Sequence, residues 1–308
     1  MNDRVPGEGP DRLALAAALV TVVLWASAFV GIRAVAEDIS PGALALGRLL
    51  TGAVALGVVV AIRRPALPTR RALPFIVASG VLWFGGYNVA LNAGERYVDA
   101  GTAAMLVNVG PILIALLGGL FLNEGFPPRL IAGSLVAFGG ATIIGLATSS
   151  EAVGGDVALG IGLCLVAAVA YAVGVVLQKP AVRETPALMV TWLACLVAIV
   201  VCLPFAPDLA RDMGSAGPES IAWILYLGLF PTAIAFTTWA FALSRSTAGR
   251  LGSMTYLVPA VAIVMGWVVL RETPPWLAIA GGGLAVAGVV IARSTGRFGR
   301  PAVAPRPS

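Results

Sequence analysis

GTAAMLVNVGPILIALLGGLFLNEGFPPRLIAGSLVAFGGATII (residues 101–144) and GRLGSMTYLVPAVAIVMGWVVLRETPPWLAIAGGGLAVAGVVIA (residues 249–292) align without a gap at an offset of 148 residues. Twelve of the 44 positions are identical, among them Pro111/Pro259, Glu124/Glu272, Pro127/Pro275, Gly133/Gly281 and Gly140/Gly288. Gly and Ala coincide by chance in a chain this rich in them. A Pro–Glu–Pro frame kept in register does not. A 148-residue period in a chain of 308 residues marks an internal duplication.

The duplicated unit is built for lipid. Hydrophobic residues make up 59% of the chain and charged residues 11%, against about 25% charged in an ordinary soluble domain. The apolar residues fall into ten blocks, near 13–34, 41–62, 72–93, 100–122, 128–148, 158–178, 186–205, 220–243, 249–270 and 275–293. Each is close to the length of helix that crosses a hydrocarbon core of ~30 Å. Helix is the spanning form, because lipid offers backbone groups no water to bond with, and the alternation of a barrel strand is absent. The first block is too long, and followed by too many others, to be a cleaved signal. The expected organisation is an N-terminal tail (1–12), a five-helix repeat (13–148), a linker (149–157), a second five-helix repeat (158–293) and a C-terminal tail (294–308).

Charge orients the drawing. With ten spans the connections alternate sides, and fifteen of the 20 Lys and Arg then fall with the two tails, including Arg63, Arg64, Arg70 and Arg71 between blocks 2 and 3. The other face holds Arg96, Arg211 and Arg271, and ten of the 15 acidic residues. By the positive-inside rule both tails are cytoplasmic and the linker extracytoplasmic. Five spans per repeat is odd, so the halves cross in opposite senses, the inverted-repeat plan of many secondary transporters. The net charge of +5 is accounted for by topology, and no basic soluble face is left for nucleic acid.

The repeat resembles the EamA-type unit of the drug/metabolite transporter superfamily. The resemblance is carried by WASAFVGIRAV (25–35), PGALALGRLL (41–50) and NVGPILIALLGGLFLNEGFPPRLIAGSLVAFGGATIIG (108–145), with second copies YAVGVVLQKP (171–180) and LVPAVAIVMGWVVLRETPPWLAIAGGGLAVAGVVIA (257–292). It implies an inner-membrane carrier of small metabolites, often an exporter of amino acids or related compounds. It also implies that helices 1–4 and 6–9 surround a central cavity while helices 5 and 10 pack outside it.

Candidate residues follow from what an amphipathic cavity needs, an apolar wall with a few polar anchors. Trp25 and Phe29 share a face of helix 1; Phe84, Tyr87 and Asn88 share a face of helix 3, which Asn92 extends. Asn108 and its twin Tyr256 each stand three residues before a proline, and Tyr171 replaces Trp25 in the second half; Phe236 lies in block 8. Trp25, Phe29, Tyr87, Asn88, Asn108, Tyr171, Phe236 and Tyr256 are expected to border one substrate-binding cavity. Arg33 and Arg48 lie within spans, where a charge is costly. They either reach the surface or a nearby acid, or one of them binds a substrate carboxylate or gates access, as a planar guanidinium can. Pro111 and Pro259 interrupt helices and are hinge candidates. Glu124 and Glu272 are read as helix-end devices that accept from free backbone N–H groups. The Gly133–Ala137–Gly140 and Gly281–Ala285–Gly288 faces permit close helix contact, between halves or between protomers of a homodimer.

No nucleotide-binding P-loop motif is present and no His, and the loops carry no Asp-rich pair, so neither ATP drive nor a metal or other cofactor is expected. Cys164, Cys195 and Cys202 lie in apolar blocks and read as small hydrophobes. The expectation is a secondary transporter of small metabolites across the inner membrane, not an enzyme. Its partners are a small-molecule substrate and the lipid bilayer. A drug or nucleotide-sugar carrier of the same fold and, in a different class, a membrane-embedded lipid or prenyl transferase are the competing readings.

Overall fold

A computed structural model of the chain describes residues 11–35, 38–97, 103, 106–148, 156–270 and 275–294. These residues form helices and no strand. In chain order the helices are α1 (Arg12–Val35), α2 (Pro41–Arg63), α3 (Leu73–Gly94), α4 (Gly110–Phe121), α5 (Pro128–Thr148), α6 (Val157–Glu184), α7 (Ala187–Ser215), α8 (Pro218–Arg245), α9 (248–270) and α10 (Trp276–Arg293). Among the described residues seven of them, α2, α3, α5, α6, α7, α8 and α10, are long and apolar enough to cross a membrane. Arg12–Ala28 and Gly110–Phe121 are apolar but shorter.

The sequence sets the ends of these helices by familiar chemistry. Asp11 accepts from the N–H groups of Leu13 (3.0 Å) and Ala14 (3.2 Å), Asp156 from Leu159 (3.1 Å) and the Thr247 hydroxyl from Arg250 (3.3 Å), satisfying donors that a helix start leaves free. Pro41 and Pro128 open α2 and α5, where a missing N–H costs nothing. The turn between α4 and α5 takes two left-handed residues, Asn123 (φ 56°) and Gly125 (φ 70°), types that tolerate that region. Large apolar side chains point outward, as with Val54 and Val200, 68% and 66% exposed. On a soluble protein such a surface is a liability; here it is the expected face toward lipid.

Two features of the backbone repeat the 148-residue offset. Gly80–Tyr87 within α3 and Gly228–Ile234 within α8 are both π-helical, beginning 148 residues apart. A π segment widens one turn and rotates every side chain beyond it, a distortion that often marks function. Ahead of the twin prolines, Asn108–Val109 form a turn and Met254–Tyr256 a 3₁₀ turn, since Pro111 and Pro259 cannot donate to the carbonyl four residues back.

The two halves meet along α5 and α10. Gly133 lies against the Gly288 carbonyl and Ala292, and Gly140 against the Gly281 carbonyl and Ala285. The order is reversed, so the helices run antiparallel. A Cβ added to Gly133 would stand 2.5 Å from the Gly288 oxygen, and one on Gly288 2.6 Å from the Gly133 oxygen. Gly133 and Gly281 are twins, as are Gly140 and Gly288, so exchanging the halves maps this contact onto itself. That is a local two-fold relation with its axis across the helices. The small-residue faces therefore join half to half within one chain.

Candidate functional site

A cavity is walled by residues of α1, α2, α3, α6, α8, α9 and the 107–111 stretch that leads into α4. No residue of α5 or α10 lines it. Its wall carries Ile32, Asn92 and Val107, near the end where α1 and α3 finish and α2 begins. Trp25, Tyr171 and Phe236 form its floor near the middle of the bundle.

The floor is a cluster of rings. Trp25 meets Trp239 (5.0 Å between centroids), Phe236 (5.5 Å) and Trp83 (6.0 Å); Trp83 meets Phe236 (4.9 Å) and Tyr171 (5.6 Å). Four helices, α1, α3, α6 and α8, thus converge on one aromatic plug. Two glycines let the rings seat: Cβ atoms at Gly174 and Gly110 would stand 2.5 Å from Trp83 and 2.6 Å from Tyr171.

One charge stands in this apolar wall. Arg48 is 5% exposed, and its Nε donates to the Thr232 hydroxyl (3.0 Å) and its Nη1 to the Asn88 amide oxygen (3.4 Å). Both acceptors are themselves aimed. The Thr232 hydroxyl donates to the Leu227 carbonyl (2.8 Å), which turns its lone pairs to Arg48. The Asn88 amide donates to the Phe84 carbonyl (2.9 Å), which turns its oxygen the same way. Both partners are neutral, and among the described residues neither ion pair, Arg211–Asp208 nor Arg245–Asp11, involves Arg48. Two of the five guanidinium N–H donors are so occupied, and the rest remain for a ligand. Among the described residues Arg48 therefore pairs with no acid, and it does not reach the surface.

The structure brings Trp25, Tyr87, Asn88, Asn108, Tyr171, Phe236 and Arg48 to this one cavity, together with Pro111 and Pro259. Tyr256 does not join them, contrary to expectation. The 3₁₀ turn carries it into the protein against Phe138 (6.4 Å), fully buried, and presents Thr255 to the cavity instead. The side chains of Phe29 and Arg33, and the whole of Glu272, lie outside the described residues. Glu124 does cap a helix, though not α5, the one that follows it. Its two oxygens accept from Ala248 (2.8 Å) and Gly249 (3.2 Å), the first turn of α9 in the other half. Sequence reasoning missed Trp83 and favoured its neighbour Phe84, which is buried against Phe236 (4.2 Å). The π segment rotates the face so that 83, 87, 88 and 91 line the cavity; the glycines 80, 85 and 86 around Trp83 were the available signal.

Residues 12–146 and 158–294 each match the EamA-like transporter family. The chain belongs to the EamA-like transporter family. This EamA-like protein is 36% identical over 277 residues to a "probable terminal-alkyne amino-acid exporter" of Streptantibioticus cattleyicolor, covering 89% of this chain and 91% of that protein. It is 33% identical to an uncharacterized transporter, YdfC, of Bacillus subtilis, covering 86% of each. A "probable amino-acid metabolite efflux pump" of Salmonella typhimurium is 26% identical over 89% of this chain and 92% of its own. A solved crystal structure superimposes with a TM-score of 0.76 over 91% of this chain and 96% of its own at 21% identity, which establishes a shared fold. The EamA-like chain is thus a multi-pass membrane transporter of small molecules and not an enzyme.

Proposed function

We propose that this EamA-like protein exports amino acids, chiefly zwitterions with apolar side chains, across the inner membrane by alternating access. In this reading the chain makes ten spans as two inverted five-helix repeats with both termini cytoplasmic, and the cavity opens to the extracytoplasmic side. The antiparallel, self-matching α5–α10 contact supports the inversion, and the excess of Arg around the tails supports the orientation.

The observation that carries the substrate class is Arg48, a buried guanidinium with neutral partners in a cavity whose other described lining residues are uncharged. A planar guanidinium fits a carboxylate in two-point fashion. Among the described residues the cavity lining holds no carboxylate to receive an ammonium group. Carbonyls and rings can do so: Pro111 and Pro259 deprive the carbonyls of Val107 and Thr255 of their helical N–H partners, and all four residues line the cavity. The relatives named for amino-acid export agree with this chemistry.

Counterflow of radiolabelled L-leucine and L-phenylalanine in proteoliposomes tests it. Saturable exchange is expected. Arg48→Gln should weaken it at least about 30-fold, the effect of about 2 kcal/mol for stripping one partner from a buried charged contact. Wild-type protein that exchanges neither amino acid, or an Arg48→Gln protein with an unchanged half-saturation concentration, would sink the reading.

A further inference from the structure

We propose that Glu124 and Lys179 form a latch that holds the pathway shut at the end of the bundle opposite the cavity mouth. The two residues come from different repeats and grip one connection, the turn from α8 into α9. Lys179, on α6 and only 4% exposed, donates its ammonium to the carbonyls of Leu243 and Ser246, where α8 ends. Glu124 takes the N–H groups of Ala248 and Gly249, where α9 begins. Each charge sits at the helix end whose dipole favours it, a cation at the C-terminus of α8 and an anion at the N-terminus of α9.

The grip presses α9 onto α4. A Cβ on Gly249 would stand 3.3 Å from Ala115 of α4 and 2.9 Å from Leu130 at the start of α5, one on Gly252 3.2 Å from Ile114, and one on Gly118 3.0 Å from the Glu124 carboxylate. Pro111 on α4 and Pro259 on α9 line the cavity on the inner side of this seal, so each helix can bend there without disturbing the helix ends.

Behind the latch lies polarity that a permanently closed core would not need. Tyr171 forms the cavity floor, and Lys179 follows eight residues later on α6, roughly 12 Å along the axis. Between them Gln178 sits on the same helix face as Tyr171 and Gly174, fully buried, with neither amide atom hydrogen-bonded among the described residues. The Tyr256 hydroxyl and the Trp239 indole N–H are also buried without a partner. Buried polar groups left unpaired ask for an explanation. A route that is dry while latched and hydrated when open supplies one, and gives Tyr256 a place on the route although it is absent from the cavity.

The latch rests on the transport reading for its purpose but not for its test, which needs no substrate. In nanodiscs, and in a background with Cys164, Cys195 and Cys202 replaced by Ala, maleimide labelling is measured at two probe positions, Gln178→Cys on the closed route and Ala28→Cys in the cavity. Glu124→Gln and Lys179→Met are each expected to raise labelling at 178 about fivefold and lower it at 28, because one population grows at the other's expense. Thr247→Ala, which removes only the hydroxyl cap of the gripped turn, should do the same more weakly and serves if a charge variant does not fold. Labelling that rises at both positions means a loosened fold and overturns the latch; labelling unchanged at both also overturns it. Accessibility that shifts in a protein exchanging no amino acid would instead remove the transport reading and leave the latch standing.

Discussion

The α5–α10 pair and the α4–α9 pair descend from the same duplication and use it in opposite ways. Along α5–α10 Gly133 meets Gly288, the twin of Gly140, and Gly140 meets Gly281, the twin of Gly133, so a contact made once is made again under the exchange of halves, and the sequence is kept. Along α4–α9 the copies part company where they reach the cavity. The twins Val107 and Thr255 both line it, as do Pro111 and Pro259, but Asn108 lines it while its twin Tyr256 is buried. Symmetry stabilises where the two halves contact each other as equals. It is given up at one position of the cavity wall, where the proposed function has one asymmetric ligand held between them.

The largest effect is expected on the symmetric side. Gly140→Leu places atoms within 2.4–2.6 Å of the Ala285 nitrogen and the Gly281 oxygen, backbone that cannot step aside, and should cost about 3 kcal/mol or more in overpacking. Gly139→Leu, whose Cβ meets nothing within 4 Å, should leave the folded yield and thermal midpoint nearly unchanged. Equal losses in the two variants would break the distinction between the half-to-half face and its neighbour.

On the asymmetric side the effects move to the ligand. Thr232→Val keeps the shape but removes the acceptor that aligns the Arg48 Nε, worth about 1 kcal/mol, or roughly fivefold in substrate affinity. Ligand-induced shifts in thermal midpoint would measure it. A variant that binds as tightly as wild type would show that Asn88 alone suffices to aim the guanidinium.

The smallest effect belongs to the rim. The Arg245 guanidinium beside Asp11, with the N–H groups of Ala14 and Leu13, holds its carboxyl below the usual carboxylate range. Folding lowers this pKa, so its contribution to stability is present at neutral pH and fades as pH falls through the depressed value. Asp11→Asn should flatten that acid limb of the thermal midpoint against pH while leaving exchange at neutral pH intact. An identical limb in both proteins would show that the pair contributes nothing.

Much of the site was legible before any coordinates. Trp25, Tyr87, Asn88, Asn108, Tyr171 and Phe236 announce themselves because rings and amides are uncommon within apolar helices, and all six border the cavity. What failed were phase and partnership. Trp83 and Thr255 displaced Phe84 and Tyr256 because a π turn and a 3₁₀ turn rotate side chains away from the regular 3.6-residue period on which a sequence reading depends. Thr232 gave no signal of its own; its orientation is set by the Leu227 carbonyl to which its hydroxyl donates and by an arginine 184 residues away. Glu124 was read as a helix-end group, yet no local pattern could tell that the helix it caps lies 124 residues further on.

The sequence by itself determined the duplication, the apolar helices, the positions of their breaks and the charge asymmetry of their connections, because each depends on the local period or on composition. Only the tertiary structure decided which faces close on one another, which groups aim Arg48 and which helix Glu124 holds. Those are contacts between residues far apart in the chain, and their geometry depends on how each helix is rotated and packed against the others.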